Sequence, residues 1–229
     1  MKINKSRMAI GVVCTTGILT GSAIAESLNI DLTTSLGGPS SSFGAAAGQA
    51  GFWNSIDRVD FTMPAISING LDGSSTDVLV TFPNSPGSGG GAMNPPALSG
   101  DVSALFEDWI GSSDFPETVS LSGLDAGTYQ LYVYASPLAW ATTNFMVNTV
   151  GANLDATVSG GWNGAFEEGV NYAKFDLDIT SGNLDIGWVA GTPFGAGLFS
   201  GIQLVQVPAP SSMFLFGAAG LGIARRRRN

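Results

Sequence analysis

The stretch Tyr129-Gln130-Leu131-Tyr132-Val133-Tyr134-Ala135 decides how the middle of this chain folds. Successive side chains of an extended backbone point to opposite faces, so Leu131, Val133 and Ala135 share one side and Gln130, Tyr132 and Tyr134 the other. The pattern predicts a strand with one buried face. Working outward, the same alternation returns where Ala173, Phe175, Leu177 and Ile179 oppose Lys174, Asp176 and Asp178, and where Leu184, Ile186 and Trp188 oppose Asp185 and Gly187. Gly, Asn and Ser turns separate these runs, and Asp125 to Gly127 makes the turn that feeds the first of them. Further strands are expected near 28–33, 55–61, 77–82, 118–121, 144–150 and 202–207. Short strands at this spacing predict an all-β fold, an antiparallel β-sandwich or jelly roll.

One helix is expected to interrupt the strands. Val102, Leu105, Phe106, Trp109 and Ile110 stand at i, i+3, i+4, i+7 and i+8, one face of about three turns. Ser99 or Asp101 is placed to cap it, and Gly111 to end it. The Gly-, Pro- and Ser-rich segment 84–100 before it is long for a loop in a compact domain and either moves or borders a site.

The two ends read differently from the middle. Lys2, Lys5 and Arg7 precede an apolar run from Met8 to Leu19, and Ala23-Ile24-Ala25 supplies small residues before a cleavage point at Glu26. Residues 1–25 are thus expected to be a secretory signal peptide. Cys14, the single cysteine, lies inside the apolar run as filler, so the exported chain is no disulfide scaffold. Of nine basic residues, three precede Glu26 and four close the chain, leaving Arg58 and Lys174 against 18 acidic residues. The body, residues 26–206, therefore carries a net charge of −16, and phosphate backbones repel such a surface. Nucleic-acid binding is excluded on that ground. About 180 residues suffice for one domain with its own core.

Residues 207–229 fall into three pieces: Val207-Pro208-Ala209-Pro210, an uncharged apolar stretch 211–224, and Arg225-Arg226-Arg227-Arg228 before Asn229. The prolines separate the tail from the domain. The apolar stretch, at about 1.5 Å per residue, reaches roughly 21 Å and spans a bilayer only marginally. The arginines belong on the cytoplasmic side. This order resembles the PEP-CTERM sorting signal of Gram-negative envelope and matrix proteins, with Ala209 where that motif has Glu. The resemblance covers about one tenth of the chain. It implies transient retention in the inner membrane by a short transmembrane helix, recognition by an exosortase, removal of the tail, and a final place in the envelope or extracellular matrix.

The body also resembles a known architecture. Val119 to Tyr134, with Gly123-Leu124-Asp125-Ala126-Gly127-Thr128-Tyr129 at its centre, is similar to a strand pair of secreted β-sandwiches. Ser200-Gly201-Ile202-Gln203-Leu204 is similar to the closing strand of galactose-binding-like or malectin-like jelly rolls. That resemblance implies sugar binding.

Catalytic motifs are absent. Without His there is no Ser-His-Asp, Cys-His or His-ligated zinc arrangement, and no phosphate-binding glycine loop occurs. Glu167 and Glu168, and Glu107 and Asp108, are acid pairs of the kind a glycosidase uses across a sugar. In so acidic a body such pairs also arise by chance. Among the five tryptophans, Trp109 and Trp188 match core-facing periods. Trp140 and Trp162 lie in Pro- or Gly-flanked loops with Asn144, Asn163 and Glu167 near in sequence, as a stacking platform with hydrogen-bonding neighbours would require, or as loop anchors. The segment 72–77 offers oxygen ligands to calcium but lacks an EF-hand spacing, and reads better as a polar turn. No cofactor is expected and no catalytic residue is assigned. Two functions follow: a non-enzymatic, glycan-associated surface or matrix protein, which is preferred, and a secreted carbohydrate-active enzyme with the same tail.

Overall fold

A computed structural model describes residues 26–32, 37–57, 64–82, 89–92, 98–192 and 195–208. The expected signal peptide with Ala23 and Ala25, the tail with Ala209, Pro210 and Arg225 to Arg228, and Arg58 lie outside the described residues. The strands are Leu28–Asp31 (β1), Trp53–Ser55 (β2), Ile66–Asn69 (β3), Ser75–Thr81 (β4), Gly89–Ala92 (β5), Asp108–Ser112 (β6), Glu117–Ser122 (β7), Gly127–Ala135 (β8), Thr142–Thr149 (β9), Ala152–Ser159 (β10), Tyr172–Ile179 (β11), Asn183–Ala190 (β12) and Gly197–Val207 (β13). One helix, Gly100–Phe106 (α1), stands among them. No described helix is long and apolar enough to cross a membrane.

The strands form two sheets. One runs β11-β8-β13-β1-β2, with β6 also on β13 and β5 on β6; the other runs β10-β9-β12-β7-β4-β3. All pairings are antiparallel except β1 with β2. The fold class is therefore the expected β-sandwich. The inner faces carry the residues that the alternation selects: Leu131, Val133 and Ala135 of β8, Ala173, Phe175, Leu177 and Ile179 of β11, and Leu184, Ile186 and Trp188 of β12. At the centre, Phe199 of β13 meets Phe145 of β9 and Trp188 with ring centroids 5.1 and 5.2 Å apart, so aromatic contacts join the two sheets.

The structure departs from expectation on the outer side of the first sheet and at the helix. The other face of β8 is not solvated: Tyr132 and Tyr134 are buried in a second core with Trp53, Leu105 and Phe106. A layer made from α1, the segment 43–53 and the loop 162–166 covers this face of the first sheet. Beneath it lies a polar network. The Tyr134 hydroxyl donates to Gln203 Oε1, Gln203 Nε2 donates to Asn29 Oδ1 at 2.9 Å, and Gln49 Nε2 reaches the same oxygen at 3.0 Å. The buried amides are thereby satisfied, as burial demands. The helix, moreover, ends at Phe106 rather than Ile110. Trp109, Ile110 and Gly111 belong to β6, because Ile110 pairs with Phe199 and a strand satisfies these backbone groups where a helix end would leave them open. Ser99 is the N-cap residue by backbone but makes no side-chain cap, and Asp101 instead accepts from Ser40 N at 2.7 Å and Ser40 Oγ at 2.9 Å. Asp101 thus ties the covering segment to the helix.

Strand direction gives the sandwich two distinct ends. Leu28 opposes Leu204, and Val207 opposes Thr128 at the start of β8, so Glu26 and Val207 sit together at one end. The segment 136–141, the loop 160–171 and the start of β13 lie at the other.

Candidate functional site

The loop after β8 is short and pinned. Leu138 and Ala141 are buried against Leu198, with Trp109 packed beside them. Leu138 N bonds Ser136 O, and Ala141 N bonds Leu138 O, each at 2.8 Å. The turn closed by the second bond presents Trp140, whose side chain is 57% exposed. An indole held out on a turn whose base is locked needs no rearrangement of backbone to stack against a flat ligand. Phe115, 69% exposed, is a second aromatic at this end. Ser113 accepts from Ala190 N at 3.1 Å while Thr143, across β12, pairs with the same Ala190, so the two aromatic-bearing loops flank one strand end. Phe115 was not among the residues the sequence singles out, and only its place between Asp114 and Pro116 signalled a loop.

Trp162 is placed otherwise. Its ring lies 5.8 Å from Phe106 and 5.2 Å from Phe166, within the second core, so most of its surface serves packing. Its neighbours form a built loop. Asn163 Nδ2 donates to Glu167 at 3.0 Å, and Asn163 Oδ1 receives Ala165 N at 3.1 Å, closing a turn at Gly164. Buried Asn171 holds the loop from below, accepting from Glu167 N and donating to Ala165 O, both at 3.0 Å. Asn163 and Glu167 are thus exposed, mutually bonded and adjacent to Trp162. Gly161 brings this loop against Pro137 and Ala139, so the Trp140 turn and the Trp162 loop are neighbours. Asn144 stands apart, on β9, where it accepts from Thr157 Oγ1 at 2.8 Å.

The acids of the two pairs have separate surroundings. Glu107 accepts from Ser103, while Asp108 is buried on β6 and Glu167 is engaged by Asn163. In the segment 72–77, Asp72 Oδ1 accepts from Ser74 N at 2.9 Å and Ser74 Oγ at 2.6 Å, which is the polar turn. These two bonds hold its carboxyl below the usual range. No cluster of three or more metal-ligating side chains occurs among the described residues.

An unforeseen carboxylate is Asp31. It is wholly buried where β13 changes neighbour from β6 to β1, opposite Gly201, and neither of its carboxyl oxygens has a hydrogen-bond partner among the described residues. Burial pushes its carboxyl well above the ordinary range, and the charge of Asp108 pushes the same way. A carboxyl raised in the fold is stabilising while it keeps its proton. That contribution is complete below about pH 4 and is lost as pH rises through the folded value. In buffer containing a chelator, urea midpoints measured from pH 3.5 to 8 are expected to fall with pH, and Asp31→Asn is expected to flatten that fall. An unchanged slope in the variant would remove Asp31 as its cause.

Solved structures similar to this chain share little sequence with it. A Bacillus subtilis protein, YxiM, is 14% identical over 79% of this chain and 40% of its own, with a TM-score of 0.47. A Bacteroides uniformis β-glucuronidase is 13% identical over 80% of this chain and 18% of its own, also at 0.47. TmCBM61, solved with β-1,4-galactotriose, is 16% identical over 57% of this chain and 89% of its own, at 0.34. The chain therefore spans two fifths or less of the first two proteins. No curated protein matches it in sequence. Residues 206–228 match the PEP-CTERM protein-sorting motif, beginning on the last two residues of β13. The chain thus carries at its C-terminus a signal for export and membrane-associated sorting by an exosortase.

Proposed function

We propose that this is a non-enzymatic protein of the cell envelope or extracellular matrix of a Gram-negative bacterium, which associates with polysaccharide through the end of the sandwich that bears Trp140. The observation that carries the reading is the opposition of the two ends. The sorting tail leaves beside Glu26, whereas Trp140 is displayed on its pinned turn at the far end. A body held in the inner membrane by its tail then points Trp140 away from the bilayer. Asn163 and Glu167, one loop away, supply a donor and acceptors for sugar hydroxyls. A stacked ring with two or three hydrogen bonds gives affinities of about micromolar to millimolar. An exosortase and the inner membrane are transient partners in this reading, and no cofactor takes part.

Glycan-array screening followed by calorimetry tests it. Trp140→Ala is expected to lower affinity for the retained glycan about tenfold or more with an unchanged melting temperature, because the side chain packs against little. Trp162→Ala, by contrast, is expected to cost about 2–4 kcal/mol of stability through the aromatic cluster. Release of reducing ends from the retained polysaccharide would favour the enzymatic alternative. No retention on any glycan by the folded protein would leave only the structural role.

A further inference from the structure

The end from which the tail leaves contains acids without a described base. Glu26 Oε2 accepts from Asp125 N at 2.7 Å, and Tyr129 of β8 donates to Asp125 O at 2.9 Å. Asp77 of β4 is close enough to act on the Glu26 carboxyl, and Asp72 shares with Glu26, Ser27 and Asp125 the lining of a cavity of about 380 Å³. Lys174 is the only Lys or Arg among the described residues, and it faces Asp176 on β11. The group closest to supplying a positive charge is the backbone nitrogen of Glu26 itself. It lies 2.6 Å from Gln206 Oε1, and Gln206 is fixed in turn by its own N–H to Ser27 Oγ at 3.0 Å. The side chain of Gln206 is also boxed in by Gly127, where an added Cβ would come within 2.9 Å of Nε2.

We propose that removal of the signal peptide before Glu26 creates a structural cation: the new α-ammonium bonds Gln206 Oε1 among Glu26, Asp77 and Asp125 and locks the first residue of the mature chain to the end of β13, where the sorting motif begins. The inference rests on the reading of residues 1–25 as a cleaved signal peptide. Hydrolysis of the Ala25–Glu26 amide consumes one water, leaves a carboxylate on Ala25 and gives Glu26 an amine that holds a proton at neutral pH. The neutral amide N–H donates one bond. The ammonium keeps that bond, makes it charge-assisted, and offsets repulsion among the acids. Cleavage and folding are thereby ordered. Ser27 is buried just before β1 and Leu28 within it, and the partner of β1, β13, is the last strand of the body to be exported. The peptidase must therefore act before β1 docks, and docking then uses the charge it made.

The pH signature distinguishes this from an ordinary hydrogen bond. An α-amine titrates near 8 in an unfolded chain, and neighbouring carboxylates raise that value in the fold. The stabilisation is complete below about pH 8 and disappears as pH rises through the folded value. Lys174 is the only lysine beyond residue 25, so in a Lys174→Arg background the α-amine is the only amine of the exported protein. That protein, purified from the cell envelope and checked for its N-terminal residue by mass, is acetylated in denaturant and refolded. Acetylation is expected to lower the melting temperature by about 3–8 °C at pH 7 and to abolish the loss of stability between about pH 8 and 10. In the unmodified protein, Gln206→Ala is expected to move that alkaline loss to lower pH, a readout that stands even where acetylated chains fail to refold. Melting curves and alkaline profiles unaffected by both changes would overturn the proposal. A mature N-terminus other than Glu26 would also overturn it, through the cleavage reading and not through the charge.

Discussion

Phe106→Asp is expected to abolish stable folding of the body, or to lower its stability by about 4 kcal/mol or more. Phe106 is fully buried at the end of α1, and its ring touches three others: Tyr134 at 6.2 Å, Trp162 at 5.8 Å and Phe166 at 5.9 Å between centroids. Loss of a buried aromatic costs about 3–5 kcal/mol, and a carboxylate in its place has no cation to meet among the described residues. The described basic side chain, Lys174, is on β11 with Asp176. The damage reaches beyond the helix, because Phe106 and Phe166 together hold the loop that carries Trp162, Asn163 and Glu167. Urea unfolding followed by tryptophan fluorescence checks this, with Phe106→Leu as the milder control at about 1–2 kcal/mol. A Phe106→Asp midpoint equal to the parent's would mean that the outer layer contributes little to stability.

That outer layer is also where sequence reasoning loses its hold. Period-two alternation reports which residues share a face, and the inner faces of β8, β11 and β12 follow it residue by residue. It does not report whether the opposite face meets water. Tyr132 and Tyr134 are amphipathic, so they fit a solvated face and a covered one equally, and only the long-range approach of residues 43–53 and 162–166 decides. The stripe from Val102 to Ile110 is ambiguous for a related reason. Five apolar residues at helical spacing suit one long helix, yet Ile110 also suits the inner face of a strand, and pairing with β13 prevails over local propensity. Other strands left almost no mark. β5 is Gly-Gly-Gly-Ala and β2 has three residues.

The candidate site was legible in part. A Trp between Pro137 and Ala141 reads as a loop residue, and Trp140 is exposed as that position suggests. Trp162 has the same kind of flanks, but the partners that draw it inward, Phe106 and Phe166, include one 56 residues away in sequence. Asp31 could not have been singled out at all. Its alternating neighbours Leu28, Ile30 and Leu32 assign it to the outward face, and outward here means beneath a second layer. The common physical point is that burial of the first sheet's outer face is a property of loops, whose paths carry no periodic signal.

The second large effect is expected at a glycine that the alternation cannot weigh. Gly123 follows β7 with φ of +82°, a left-handed conformation in which a side chain is disfavoured. Space is the greater obstacle: a Cβ there would stand 2.3 Å from Asp77 O and 3.0 Å from Asp77 C, both backbone atoms of β4. β4 pairs with β7 immediately before this turn, with Leu79 opposite Ser122, so the backbone cannot retreat without breaking that pairing. Leu124, the next residue, is buried, and its N–H bonds Gly182 O at 3.1 Å, which fixes the turn from its other side. Gly123→Ala is therefore expected to cost about 2–5 kcal/mol, the sum of a torsional penalty and forced overpacking. Gly151→Ala is the matched comparison. Gly151 has φ of +100° but nothing within 4 Å of its added Cβ, so only the torsional part, about 1 kcal/mol, is expected. Urea midpoints of the two variants, measured side by side, isolate the clash. Equal losses would mean that β4 yields at Asp77 and that the turn is softer than its contacts imply.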